Sequence, residues 1–300
     1  MVNGIINVYK EKGFTSFDVV AKLRGIVKQK KIGHTGTLDP DATGVLPVCL
    51  GYGTKLCDML TDKDKTYKAV MLLGTVTDTQ DTSGKVLSTS EVFSTRDEIE
   101  EAVLSFVGEY NQLPPMYSAI KVGGRKLYEL AREGKEIPRE TRKVSIRGIE
   151  IEEIDIENKE VTMTVHCSKG TYIRTLCHDI GEKLSCGGCM KELMRTKVGN
   201  FDISTSLTID QIRTLVEEGT FHETVIPVDQ MFDYDKIIMV ESCDKYLYNG
   251  NSFLKEHCMP YGEQVGTPSV LVYDSKGQFL AVYEYREEEK RYKSIKMFSS

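Results

Sequence analysis

Gly33-His34-Thr35-Gly36-Thr37-Leu38-Asp39-Pro40-Asp41-Ala42-Thr43-Gly44 places three glycines and a proline within twelve residues. That composition excludes a regular helix, because glycine is costly in a helix interior and proline removes a donor and clashes with the preceding turn. Pro40 also pushes Asp39 toward an extended backbone. The result is one carboxylate on a stiff, glycine-flanked loop, followed at once by the apolar Val45-Leu46-Pro47-Val48. A rigid loop holding an acid is one way a fold presents a catalytic group. Spacing alone reads equally well as a turn with a solvated aspartate.

Around this loop the chain reads as a mixed α and β protein. Residues 3–8 form a short strand pattern. Thr15 and Asp18 have the spacing of a capping box, and the following helix buries Val19, Val20, Leu23, Ile26 and Val27 while Lys22 and Arg24 face out. Tyr67, Ala69, Met71 and Leu73 alternate along one side of a strand. Residues 95–107 read as an amphipathic helix, and Val161 to Cys167 as a strand turned by Ser168-Lys169-Gly170. A helix then opens near Thr171, with Ile173, Leu176, Cys177, Ile180 and Leu184 as its buried stripe. The pattern changes after Pro227. Residues 236–241 and 269–285 read as short strands, with Asp274-Ser275-Lys276-Gly277 as a hairpin turn.

Three hundred residues with a net charge of −6 fit one large domain and a small one. No apolar run approaches the length of a transmembrane helix. Lys10 and Lys12 interrupt any signal-peptide pattern, so a cytoplasmic location is expected. Eight cysteines are too sparse for a disulfide framework. Cys186-Gly-Gly-Cys189 is a lone CxxC; Cys167, Cys177 and His178 are further candidates for zinc, but reduced thiols with no metal are expected. The acidic sum argues mildly against nucleic acid, but the bases cluster. Lys22, Arg24, Lys28, Lys30 and Lys31 form one acid-free run, and residues 110–143 carry eight bases against four acids.

Four segments carry a specific resemblance. GHTGTLDPDATGVLPV resembles the catalytic signature of the TruB family of tRNA pseudouridine synthases, GHxGxLDPxATGxLPV, with Asp39 at the acid's position and Asp41 where the family varies. QLPPMYSAIKVGGRKLY resembles QxPPxYSAxKxxGxxxY, CSKGTYIRTL resembles CSxGTYIRxL, and LMRTKVGNF resembles LxRTxxGxF. DKTY and TDTQDTSG match shorter family motifs around Tyr67 and residues 77–84. An EF-hand reading of the second fails on spacing. One departure is KEKGFTS at residues 10–16, where the family has Lys-Pro-x-Gly. The resemblance covers residues 1–228.

It implies an α+β catalytic domain over residues 1–228, with a mixed, largely antiparallel sheet, flanking helices and a basic thumb inserted at about 110–143. Residues 229–300 are expected to form a separable, β-rich PUA-like RNA-binding domain. The implied activity is conversion of uridine to pseudouridine at position 55 in the T-loop of tRNA, with no cofactor and no protein partner, by a monomer. Asp39, Tyr67 and Arg174 take the catalytic positions. Attack at C1′, attack on the base and removal of a C2′ proton all remain open for Asp39. A second acid is not evident. Tyr67 stacks on the uracil and moves a proton, Arg174 pairs with Asp39, Tyr172 walls the pocket, Leu193 packs on the base and His34 fills the gap left by the flipped base. Lys121, Arg125, Lys126, Arg132, Arg142 and Lys143 contact RNA phosphates. Two other classes stay in view: an RNA-binding protein that helps tRNA fold, and a guided synthase that depends on partner proteins.

Overall fold

The computed structural model describes residues 1–298. Its centre is a nine-stranded sheet. The first strands are β1 (Gly4–Lys10), β2 (Ile32–His34), β3 (Thr43–Leu50) and β4 (Lys65–Leu73); β5 (Thr75–Thr77) and β6 (Val86–Thr89) form a separate ribbon. Then come β7 (Gly108–Gln112), the short pair β8 (Lys121–Val122) and β9 (Arg125–Lys126), and the long β10 (Arg142–Asp155), β11 (Glu160–Cys167), β12 (Gly188–Val198) and β13 (Phe201–Asp202). The order is β1-β3-β12-β4-β11-β10-β7, with β2 on β3 and β13 on β12. Every pairing is antiparallel except β3 with β12. The sheet is thus mixed and largely antiparallel, with the parallel contact beside the Asp39 loop.

Helices cover it where their apolar stripes dictate. α1 (Ser16–Ile26) starts at the Thr15–Asp18 capping box and buries Val19, Val20 and Leu23. α2 (Cys57–Thr61) is one turn, and α3 (Arg96–Leu104) ends before Phe106 and Val107. α4 (Leu127–Arg132) lies in the basic insertion, and α5 (Ile173–Lys183) packs Ile173, Leu176, Cys177 and Ile180 against Ala69, Met71, Val161 and Met163 of the sheet. α6 (Ile209–Glu218) joins α1 over β1 and β3.

The insertion leaves the sheet at Gln112 and returns at Arg142, directly across the β7–β10 pair. Its β8–β9 hairpin turns at Gly123 and Gly124, with φ of 58° and 84°. Two consecutive positive φ values define the turn type that matches strand twist, which favours glycine at both positions.

The C-terminal part forms its own sheet. Its members are β14 (Asp235–Met239), β15 (Cys258–Pro260), β16 (Ser269–Tyr273), β17 (Phe279–Arg286) and β18 (Arg291–Met297), with the single-turn α7 (Asp244–Tyr248) alongside. The Asp274–Gly277 turn joins β16 to β17 as the residues suggested, with Asp274 Oδ1 accepting from Lys276 and Gln278 N–H. Separability is a different matter. One apolar cluster runs from Ile5, Cys49, Leu56, Leu60 and Phe201 of the first part into Leu271, Tyr273, Phe279 and Phe298 of the second. The change of pattern at Pro227 marks a change of sheet, and the core continues across it.

Candidate active site

Asp39 stands on the loop between β2 and β3, and that loop is fastened on three sides. Ser16 Oγ, at the start of α1, accepts from Leu38 N at 2.9 Å. Lys10, fully buried, donates to the carbonyls of Glu11, Phe14 and Pro40 at 3.1, 2.6 and 3.0 Å. Gly13 N–H also donates to Pro40 O at 2.9 Å, so the turn that lacks the family's proline is held by hydrogen bonds instead. Burial lowers the Lys10 pKa to about 8. On the third side lies Arg195, 1% exposed, with Nε donating to Val45 O at 2.8 Å and Nη2 to Gly36 O at 3.2 Å. It grips both ends of the loop. Gly44 meets Arg195 at the parallel β3–β12 contact with φ of +105°, and a Cβ there would lie 2.2 Å from the Arg195 carbonyl oxygen. Only glycine fits.

Arg174, in the first turn of α5, meets Asp39 from the other side of the sheet's end. Nε lies 3.0 Å from Asp39 Oδ2, and Nη2 donates to Oδ1 at 3.3 Å. The guanidinium also donates to Thr79 O at 3.1 Å and Tyr117 O at 2.9 Å, and Nη1 lies 3.6 Å from Asp81 Oδ2. Arg174 is therefore a buried junction of three loops, not an exposed helix residue. Asp81 is the second acid that the sequence did not reveal. It belongs to the TDTQDTSG segment, whose turn folds it inward. Loss of solvent around the carboxylate raises the Asp39 pKa. Arg174 pulls it back, and Asp81 pushes it up again.

Tyr67 lies on β4 opposite Arg195 of β12, and Leu193 lies opposite Ala69 two pairs further on. Facing residues of an antiparallel pair share a face, so Tyr67, Arg195 and Leu193 stand together. Burial raises the Tyr67 pKa, and Arg195, hydrogen-bonded to the phenol, partly offsets this. His34 closes β2, half-buried, and its Nδ1 accepts from Gly36 N at 3.4 Å. Burial depresses its pKa. Tyr172 immediately precedes α5 and Arg174.

The basic residues divide. Lys121 and Arg142 are exposed. Lys126 and Arg132 flank the Tyr128 ring, each 5.4 Å from its centroid. Arg125 is paired with Glu133, and Lys143 with Glu109 at 2.8 Å. Exposed pairs of this kind are weak and can exchange for phosphate. Cys186 and Cys189 are both buried, and no three His, Cys, Asp or Glu side chains converge among the described residues. No helix among the described residues is long and apolar enough to cross a membrane.

An oriented carboxylate, a buried phenol on a neighbouring strand and cations beneath both can bind a flat ring and handle its protons. Sequence reasoning reached Asp39, Tyr67 and Arg174 and passed over Lys10, Asp81 and Arg195. These three sit inside quoted motifs, but only burial distinguishes them.

The chain is similar to known proteins. Residues 24–173 match the model of the TruB family pseudouridylate synthase N-terminal domain, and residues 174–233 match the tRNA pseudouridylate synthase B C-terminal domain. A protein of Lachnoclostridium phytofermentans named tRNA pseudouridine synthase B is 53% identical, with 99% of this chain and 100% of that protein aligned. One of the same name from Alkaliphilus oremlandii is 46% identical over 99% of this chain and 97% of its own length. Among solved structures, a Cbf5-Nop10-Gar1 complex has a chain that is 28% identical with a TM-score of 0.69, covering 99% of this chain and 85% of that one. The chain thus belongs to the TruB family of pseudouridine synthases and is an isomerase of that kind.

Proposed function

We propose that this enzyme converts uridine to pseudouridine at position 55 in the T-loop of tRNA, alone and without a cofactor. The observation that carries the proposal is the Asp39 carboxylate, gripped side-on by Arg174 on the LDP loop, with Tyr67 on the strands beside it. Full-length relatives named for tRNA support that substrate, and the family resemblance of all four motifs supports the T-loop position.

The chemistry balances without any co-reactant. The N1–C1′ bond breaks, the uracil turns, C5 bonds to C1′, C5 loses a proton and N1 gains one. Asp39 acts as the anion on the nucleotide, whether at C1′, at the ring or at the C2′ proton. Arg174 keeps it ionised and aimed through a two-point contact. Tyr67 and Leu193 hold the base from its two faces, and the Tyr67 phenol, kept neutral by burial, relays the C5 proton. A looped-out uridine costs a few kcal/mol to unstack, and His34, at the loop's edge, fills its place. Lys121, Arg125, Lys126, Arg132 and Arg142 hold the phosphates of the T-arm stem-loop, and the C-terminal sheet grips the rest of the tRNA as a PUA-like module. Eight unpaired cysteines suit a reducing cytoplasm, where the chain acts as a monomer.

The test is the purified chain on a bare tRNA transcript, with pseudouridine mapped by position. Modification at position 55 is the expected result. A product at another position, or one that appears only with an added guide RNA or partner protein, would overturn the proposal.

A further inference from the structure

Gln112 is the last residue of β7 and the point where the thumb leaves the sheet. It is 1% exposed. Its side chain is turned into the protein. Nε2 donates to Tyr172 O at 2.9 Å, and Oε1 accepts from Tyr172 N at 2.8 Å. A single amide thus serves both backbone groups of one residue, as a neighbouring strand would.

Tyr172 is where α5 begins. Its φ and ψ are −96° and 108°, and no side chain caps the helix there. Tyrosine has no short oxygen to reach back to the first turn, so a usual source of N-terminal order is missing. The Gln112 amide stands in for it. Two hydrogen bonds to one peptide unit fix both its position and its tilt. Two residues further on is Arg174, whose Nη2 donates to Tyr117 O, five residues beyond Gln112 in the thumb's root. Arg139 Nη1, on the returning stem, donates to Pro114 O at 2.9 Å and ties the two stems together.

We infer that Gln112 is a positioning residue: it couples the root of the thumb to the start of α5 and so holds Arg174 in the orientation that aims Asp39. This rests on the proposed pairing of Asp39 and Arg174 as working groups. Gln112 itself touches neither the carboxylate nor the guanidinium.

The test uses the full chain and single-turnover release of tritium from C5 of uridine in a T-arm stem-loop. Gln112→Leu removes both bonds. Gln112→Glu keeps the acceptor for Tyr172 N but turns an acceptor toward Tyr172 O, in a side chain of nearly the same size. Misplacement of a catalytic group by about an ångström costs on the order of 10²-fold. The turnover rate is expected to fall by ~10–100-fold in both variants, while RNA affinity stays within about threefold. Each change is then repeated in an Arg174→Lys background. There the added loss is expected to shrink below about threefold, because residues that act as one unit are not additive. Full additivity in the double variants, or an unchanged rate in Gln112→Glu, would overturn the inference. Full activity of Arg174→Lys alone would instead overturn the Asp39–Arg174 pairing on which it rests. If Gln112→Leu does not fold, Gln112→Glu decides.

Discussion

Arg174→Met removes the cation paired with Asp39, and the consequence is signed. In the proposed mechanism the rate requires the Asp39 anion, so the acid limb is expected to report the Asp39 pKa, which burial raises above the ordinary carboxylate value. Arg174 Nε is 3.0 Å from Asp39 Oδ2. Two unit charges about 4 Å apart interact by ~4 kcal/mol at an effective dielectric near 20. The Asp39 side chain is 40% exposed, so water screens the pair, and about half that energy is the right scale. At 1.36 kcal/mol per pH unit, ~2 kcal/mol corresponds to a shift of between one and two units. Loss of the cation destabilises the anion, so the limb moves to higher pH. Asp81→Asn removes a repelling charge and moves the limb the opposite way, to lower pH. The assay is the single-turnover rate at saturating RNA across the acidic and neutral range. A limb that stays put in both variants, or that shifts the same way in both, would refute the electrostatic role given to Arg174.

Tyr67→Phe keeps the ring, whose stacking on a base is worth ~1–3 kcal/mol, and loses the hydroxyl; RNA binding is expected to persist and turnover to fail, whereas normal turnover would mean that only the ring is used. Replacing Lys121, Lys126 and Arg132 with glutamine is expected to flatten the log–log salt dependence of binding by about two to three, near 0.9 per phosphate contact, and to raise KM more than it lowers kcat; an unchanged slope would place the thumb away from RNA. Ending the chain at Asp229 strips cover from Leu56, Leu60, Phe201 and Val228. Each fully exposed side chain of this kind costs ~1.5–3 kcal/mol, against a total stability of about 5–15 kcal/mol. The shortened chain is expected to melt far earlier or to aggregate, as scanning calorimetry would show; a melting temperature within a few degrees of the full chain would mean that the first part closes its own core.

Much of this was legible because short-range chemistry decides it. Thr15 and Asp18 announce the start of α1, the alternation from Tyr67 to Leu73 announces β4, and Asp274-Ser275-Lys276-Gly277 announces a hairpin turn. The Asp39 loop was legible for the same reason, since Gly44 and Pro40 restrict the backbone wherever they stand. What stayed hidden depends on long-range packing. Nothing in the local sequence singles out Lys10, Lys65 or Arg195, yet all three are buried and satisfied by backbone carbonyls. No local pattern separates them from solvated lysines and arginines. Asp81 reads as one acid among several in a polar turn until Arg174 arrives from about ninety residues away. The shared core across Pro227 is invisible for the same reason: Phe279 and Phe298 fit a small β module equally well whether they face inward or toward β3.

Asp39→Asn keeps size and shape and removes the negative charge. Loss of a carboxylate with a raised pKa also removes a group that costs stability as pH rises through that value, so the melting temperature at neutral pH is expected not to fall. The decisive measurement pairs the dissociation constant for a T-arm stem-loop with pseudouridine formed in a single turnover by the same preparation. Binding within a few-fold of the parent with no detectable pseudouridine is the expected outcome. Pseudouridine at a rate near that of the parent would show that the carboxylate on the GHTGTLDP loop does not carry the reaction.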